Sequence, residues 1–228
     1  MTEIPVRHAV VTGVSSGIGA AIADRLLRDG WRVTGISRSA PDRAEPGFAH
    51  RAADLSDPAS LDAAVQDLRP DALVHAAGLL RTGRLGELNP ADGEAMWRLH
   101  VSAAERLANL LLPAMPDGAR IVLIGSRTAT GAAGRGQYAA TKAAMLALAR
   151  SWAAELAPRG ITVNVVAPAA TETPMLRDPA RAGVPPRVPP IGRFIRPEEV
   201  AALTAFLLSE EAGAITGQGI TICGGSSL

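Results

Sequence analysis

Lysine, tyrosine and cysteine are almost missing from this chain. Each occurs once among 228 residues, as Lys142, Tyr138 and Cys223. A single cysteine cannot close an intrachain disulfide, which fits a reducing compartment. Excess charge is missing too: 23 basic and 22 acidic side chains leave a formal net charge of +1, with arginines spread along the whole chain. That spread argues against a nucleic-acid arm and against a polybasic membrane patch. No apolar run reaches the length of a membrane span. The opening stretch MTEIPVRHAVVTG lacks the basic segment and long apolar run of a signal peptide, so the expected address is the cytoplasm. His8, His50, His75 and His100 are too far apart in sequence for a paired ligand motif, and no metal site is expected.

What the chain does have is apolar residues, 47% of the total, enough for a sizeable core. Its length suits one domain spanning 1–228. No internal repeat is visible. Short β-branched runs alternate with longer alanine- and leucine-rich stretches. Strands are expected at 8–13, 31–37, 48–55, 71–78, 119–126, 161–168 and 217–223. Helices are expected at 17–30, 57–68, 90–115, 136–157 and 197–209. Strands that are apolar on both faces, with helices between them, imply an α/β fold: a Rossmann-like, doubly wound parallel sheet of about seven strands, covered on both sides. The connection from Ser39 to Phe48 is too short and proline-rich for a full helix, so one crossover should be abbreviated. Residues 174–196 hold six of the 17 prolines and read as a long loop, a candidate lid over a site.

The stretch VVTGVSSGIGAAIA places Gly13, Gly17 and Gly19 directly after the first strand and into the first helix. Glycine permits a sharp turn and close approach of a pyrophosphate, and the free N–H groups at the helix start face the phosphates. A glycine pattern alone is weak evidence; its place between a strand and a helix is the confirming context.

Tyr138 and Lys142 stand at i and i+4 on an expected helix and so share a face. A free tyrosine, with a pKa of about 10, exchanges protons poorly at neutral pH. A neighbouring ammonium favours the phenolate. Arginine would bring charge as a broad planar fork rather than a compact point, which accounts for a lone lysine surviving here. Twelve residues upstream the fifth strand ends in LIGS, so Ser126 emerges on the same rim as the glycine loop, where its hydroxyl can meet a substrate oxygen.

The spacing Thr-Gly-x-x-x-Gly-x-Gly resembles the short-chain dehydrogenase/reductase family, and the rest of the chain is similar to that family from about residue 8 to 225. The resemblance implies a catalytic set of Ser126, Tyr138 and Lys142. It assigns Gly13, Ser15, Ser16, Gly17, Ile18 and Gly19 to the cofactor phosphates, and Asp54 with Leu55 to the adenine end. HAAG at 75–78 looks like the family's Asn-Ala-Ala-Gly, so Ala76, Ala77 and Gly78 would let backbone approach the cofactor, with His75 in place of asparagine. APAATETPM resembles the family's Pro-Gly segment followed by Thr-Pro: Pro168 and Thr173 match, Ala169 replaces glycine, and Thr171 and Thr173 would hold the carboxamide. At the end of the second strand stand Ser37 and Arg38, with no carboxylate to repel a 2′-phosphate and a guanidinium to grip it. NADP(H) is therefore expected over NAD(H), the alternative being a surface Arg38 and weak discrimination.

The largest departure is His100, where the family usually has an asparagine that kinks the helix and supports a proton path from the lysine. A histidine can also pass protons near neutral pH, so His100 joins the candidate catalytic set; the alternative is that it merely packs beneath the site. The expected activity is NADP(H)-dependent interconversion of a carbonyl and an alcohol, on a small molecule. Two rivals stand beside it: a dinucleotide-binding regulatory or scaffold protein with little turnover, and an NAD-linked alcohol dehydrogenase. The family's habit implies a homodimer or homotetramer.

Overall fold

Seven parallel strands carry the molecule: β1 (His8–Thr12), β2 (Arg32–Ser37), β3 (Phe48–Ala52), β4 (Ala72–His75), β5 (Arg120–Ile124), β6 (Thr162–Pro168) and β7 (Gly219–Ile222), in the order β3-β2-β1-β4-β5-β6-β7. The structure is a computed structural model and describes residues 6–43, 45–178 and 184–228. The helices are α1 (Gly17–Arg28), α2 (Pro58–Val65), α3 (Pro90–Trp97), α4 (Ala103–Leu111), α5 (Gly136–Leu156) and α6 (Pro197–Leu208). Between α3 and α4 the helix does not stop: residues Arg98–Ser102 form one π turn. Among the described residues no helix joins β2 to β3, which pair in parallel directly, so the abbreviated crossover is observed.

The two faces of the sheet explain the continuous apolar runs. Val10, Leu73, Ile121, Leu123 and Val165 point to the side covered by α2, α4 and α5. Their strand neighbours Val11, Val74, Val122, Ile124 and Val166 point to the side covered by α1 and α6. Because side chains alternate along a strand, burial on both sides requires apolar residues at every position. The polar Asn164 in β6 is fully buried and tied down: its Nδ2 donates to Ile215 O at 2.6 Å and its Oδ1 accepts from Gln218 N at 3.0 Å. It fixes the entry of β7 into the sheet.

Several elements end earlier than their sequence patterns suggest. β3 stops at Ala52, because Asp54 and Asp57 close a turn, with Asp57 N donating to Asp54 O at 3.1 Å. Asp57, rather than Asp54, then caps α2, accepting from Ser60 N. α2 ends at Val65, five residues before Pro70. Within 174–196, Pro174–Arg177 form a single 3-10 turn and residues 179–183 lie outside the described part of the chain.

The strand order reverses between β1 and β4, whose carboxyl ends open a crevice. All the candidate residues sit along it.

Candidate active site

The glycine loop leaves β1 with Gly13 at φ +74° and Gly17 at φ +61°, conformations that favour glycine. A side chain at Gly13 would come within 2.9 Å of the Ala77 backbone, and one at Gly19 within 2.3 Å of Gly13 O. The loop is therefore a cradle that a Cβ would fill. Ser16 caps α1 in extended conformation without spending its hydroxyl on a helix N–H, and no acidic residue lies in the first turn. This is a seat for an anion. Thr12, at the end of β1, joins the loop to β4: its Oγ1 accepts from Ala76 N and Ala77 N, both at 3.0 Å. Sequence reasoning passed over this threonine, although it stands in the glycine motif itself.

The cleft around the loop measures about 480 Å³ and also takes in Ser37, Arg38, Asp54, Leu55 and Gly78. Ser37 is buried, and its hydroxyl meets Ser39 O at 2.9 Å and His50 Nε2 at 3.1 Å. Its polar capacity is committed to the protein, which leaves the exposed Arg38 as the available group at the strand end. Asp54 Oδ1 accepts from both Ser56 N and Ser56 Oγ, and these bonds hold its carboxyl below the usual range, with a smaller contribution from the Arg38 charge.

A second cavity of about 580 Å³ adjoins the first, sharing Ile18, Gly78 and Thr173 on the common wall. It gathers Ser126, Tyr138, Lys142, His100, Pro168 and Thr171. Ser126 leaves β5 in extended conformation, and its hydroxyl is held by Thr128, at 2.8 Å to Oγ1 and 3.2 Å to the backbone N. Thr128 thus aims Ser126, a role the sequence did not signal. Tyr138 is buried in the first turns of α5. Lys142 Nζ lies 5.8 Å from the Tyr138 ring centre and donates to Ile124 O at 2.8 Å. Burial pulls the Lys142 pKa down to about 7.

The two histidines are fixed in opposite tautomers. Leu79 N donates to His100 Nε2 at 3.0 Å, so that nitrogen carries a lone pair and the proton sits on Nδ1. Nδ1–H then donates to Thr141 Oγ1 at 2.8 Å, and the Thr141 hydroxyl donates to Tyr138 O at 2.9 Å. In His75, Nδ1 lies 3.0 Å from Thr12 Oγ1, which already accepts two N–H groups and so gives its own proton to the ring. His75 Nε2–H donates to Leu99 O, 3.0 Å away in the π turn. Burial, and next the Lys142 charge, push the His75 pKa down to about 4 and that of His100 well below its ordinary value. Both rings are neutral, and the protein itself occupies both nitrogens of each. The imidazole of His100 thereby links Leu79 to α5.

Known proteins resemble the chain over most of its length. A family model described as enoyl-(acyl carrier protein) reductase matches residues 13–227. The chain is 37% identical to the 3-oxoacyl-[acyl-carrier-protein] reductase FabG of Escherichia coli over 234 residues, covering 95% of this chain and 96% of that one. The chain belongs to the short-chain dehydrogenase/reductase family. It is an oxidoreductase acting on CH–OH and C=O groups. Among solved members of the family, a short-chain dehydrogenase from Burkholderia cenocepacia in complex with NADP superposes with TM-score 0.87 at 35% identity, over 97% of this chain and 98% of that one. A 3-ketoacyl-(acyl-carrier-protein) reductase from Brucella melitensis complexed with NADH gives TM-score 0.86 at 28% identity, over 97% and 98%. No helix among the described residues is long and apolar enough to cross a membrane.

Proposed function

We propose that this protein is an NADP(H)-dependent carbonyl reductase, reversible as an alcohol dehydrogenase, with Ser126, Tyr138 and Lys142 as its catalytic residues. The observation that carries this is their convergence on one cavity, continuous with a glycine cradle shaped for a pyrophosphate. Relatives named for NADP complexes and for 3-oxoacyl reduction support the cofactor and the direction.

The residues present fit a dinucleotide. The amides of Ser15 to Gly19 would receive the pyrophosphate, Arg38 a 2′-phosphate, Asp54 and Leu55 the adenine end, and Thr171 with Thr173 the carboxamide. When bound, the dinucleotide supplies or accepts the hydride. Ser126, aimed by Thr128, donates to the substrate oxygen and positions it. Tyr138 Oη gives its proton to that oxygen in reduction and takes it back in oxidation. The Lys142 ammonium, held against Ile124 O, favours the phenolate left behind. His75 and His100 act as positioning residues that tie the glycine loop, the π turn and α5 together.

Residues 174–196 serve as the lid in this reading. The groove between α2, α4 and α5, about 790 Å³, sets Trp152, Leu61 and Leu112 among charged residues such as Arg106 and Glu155, a mixed face that suits a homodimer or homotetramer. A single free cysteine and balanced charge support a cytoplasmic setting. The test is NADPH oxidation over a carbonyl panel, in the wild type and in Tyr138→Phe.

A further inference from the structure

The charge lining the catalytic cavity has one sign. Arg127, Arg135, Arg187 and Lys142 all lie on its wall, and among the described residues no aspartate or glutamate does. Elsewhere, Arg25, Arg43, Arg51, Arg98, Arg106 and Arg159 each reach a carboxylate within 4 Å. Two of the cavity cations have structural duties. Lys142 is held at Ile124 O, and Arg135 Nη2 donates to Val184 O at 3.2 Å.

The other two do not. Arg127 follows Ser126 directly and is half-buried, and its guanidinium has no hydrogen bond or ion pair with any described residue. Arg187 stands exposed on the lid segment in the same condition. The cofactor phosphates do not account for them, because neither arginine lines the glycine-loop cleft where those phosphates fit. Cations without a compensating acid on a concave wall focus positive potential into it and raise the local concentration of anions. A guanidinium fork matches a carboxylate or phosphate with two parallel bonds.

We propose that Arg127, with Arg187 from the lid, forms an anion subsite in the cavity that holds Ser126, so that the substrate is a carbonyl compound bearing a carboxylate or phosphate. The inference rests on the carbonyl-reductase reading above and adds a substrate class to it.

The test uses matched pairs with NADPH at low ionic strength: 3-oxobutanoate against its methyl ester, and dihydroxyacetone phosphate against dihydroxyacetone. The expected result is a kcat/KM at least tenfold higher for the charged member of one pair, and which pair responds separates carboxylate from phosphate. That preference should fall at least tenfold in Arg127→Leu, fall in part in Arg187→Leu, survive in part in Arg127→Lys, and shrink with added salt. A second arm needs no turnover: calorimetric binding of the same two anions to NADP-loaded Tyr138→Phe, with and without Arg127→Leu. Arg127-dependent binding without reduction by the wild type would sink the reductase reading and keep the anion subsite. Equal use of charged and neutral members, or anion binding indifferent to Arg127, overturns the proposal, as does the absence of both reduction and binding.

Discussion

His100 Nδ1 donates to Thr141 Oγ1 at 2.8 Å, and through that hydroxyl the ring is bonded to the main-chain carbonyl of Tyr138. With Nε2 taken by Leu79 N, both ring nitrogens are engaged by the protein, which supports a positioning role. Replacing His100 by alanine should therefore act through structure. It removes the partner of the half-buried Leu79 N–H and one bond of the buried Thr141 hydroxyl, a combined loss of about 1–3 kcal/mol. Chemical denaturation should show that loss, and His100→Asn, which can still bond Leu79, should recover part of it. A wild-type pH–rate profile with a clear imidazole limb that vanishes in His100→Asn would contradict the positioning role.

The buried histidines also set an acid limit on stability. Their folded pKa values lie below the ordinary 6.5, with His75 at about 4, so in acid the unfolded chain binds protons that the folded one refuses. Stability from these groups is fully present above about pH 6.5 and falls as pH drops toward 4, by roughly 1.4 kcal/mol per pH unit for each histidine. Urea midpoints measured between pH 7 and 4.5 should fall steeply in the wild type and less steeply in His75→Asn.

Lys142 works in the opposite pH range. Its folded pKa of about 7 lies below the usual lysine value, so the unfolded chain binds the extra proton between about pH 10.5 and 7 and stability declines as pH falls through that window. Lys142→Met should be more stable than the wild type at pH 7 by about 1 kcal/mol or more, while losing at least about a hundredfold in kcat/KM. Lower stability in the variant would show that the ammonium is better compensated than its burial suggests.

Thr12→Val keeps the shape and removes the acceptor for Ala76 N and Ala77 N. Two amides lose their partner, at about 1–3 kcal/mol each. A lower Tm and weaker NADPH binding should appear together, because both amides belong to the wall of the cofactor cleft.

Arg38→Ala should raise the KM for NADPH about tenfold or more, the scale of a charge-assisted hydrogen bond, with little change for NADH. Equal losses with both cofactors would remove the 2′-phosphate assignment.

The sheet, and the meeting of Ser126, Tyr138 and Lys142 in one cavity, were legible from strand and helix periodicity and from the place of Ser126 at a strand end. Burial on two faces forces unbroken apolar runs, and an i,i+4 pair shares a helix face. The hydroxyls that hold the site were not legible. Thr12, Thr128 and Thr141 act across distances of 2 to 65 positions along the chain, and although Thr12 stands in the glycine motif, no spacing pairs any of them with its partner. The π turn was hidden for a similar reason: a continuous apolar helix pattern over 90–115 does not show one shifted hydrogen bond, and only the meeting of Leu99 O with His75 exposes it. The bonds of the Ser37 hydroxyl to Ser39 O and His50 Nε2 were likewise not readable from its place at the strand end.

The central claim is that Tyr138 moves a proton on the substrate oxygen while NADPH is consumed. The direct measurement is NADPH oxidation, with NADH in parallel, across ketones, aldehydes, quinones, 3-oxoacyl thioesters and sugar-derived carbonyls, in the wild type and in Tyr138→Phe. The account predicts turnover with at least one class, faster with NADPH and reduced at least about a hundredfold by the substitution. Tight NADPH binding with no turnover on any class, or turnover indifferent to Tyr138, would contradict it.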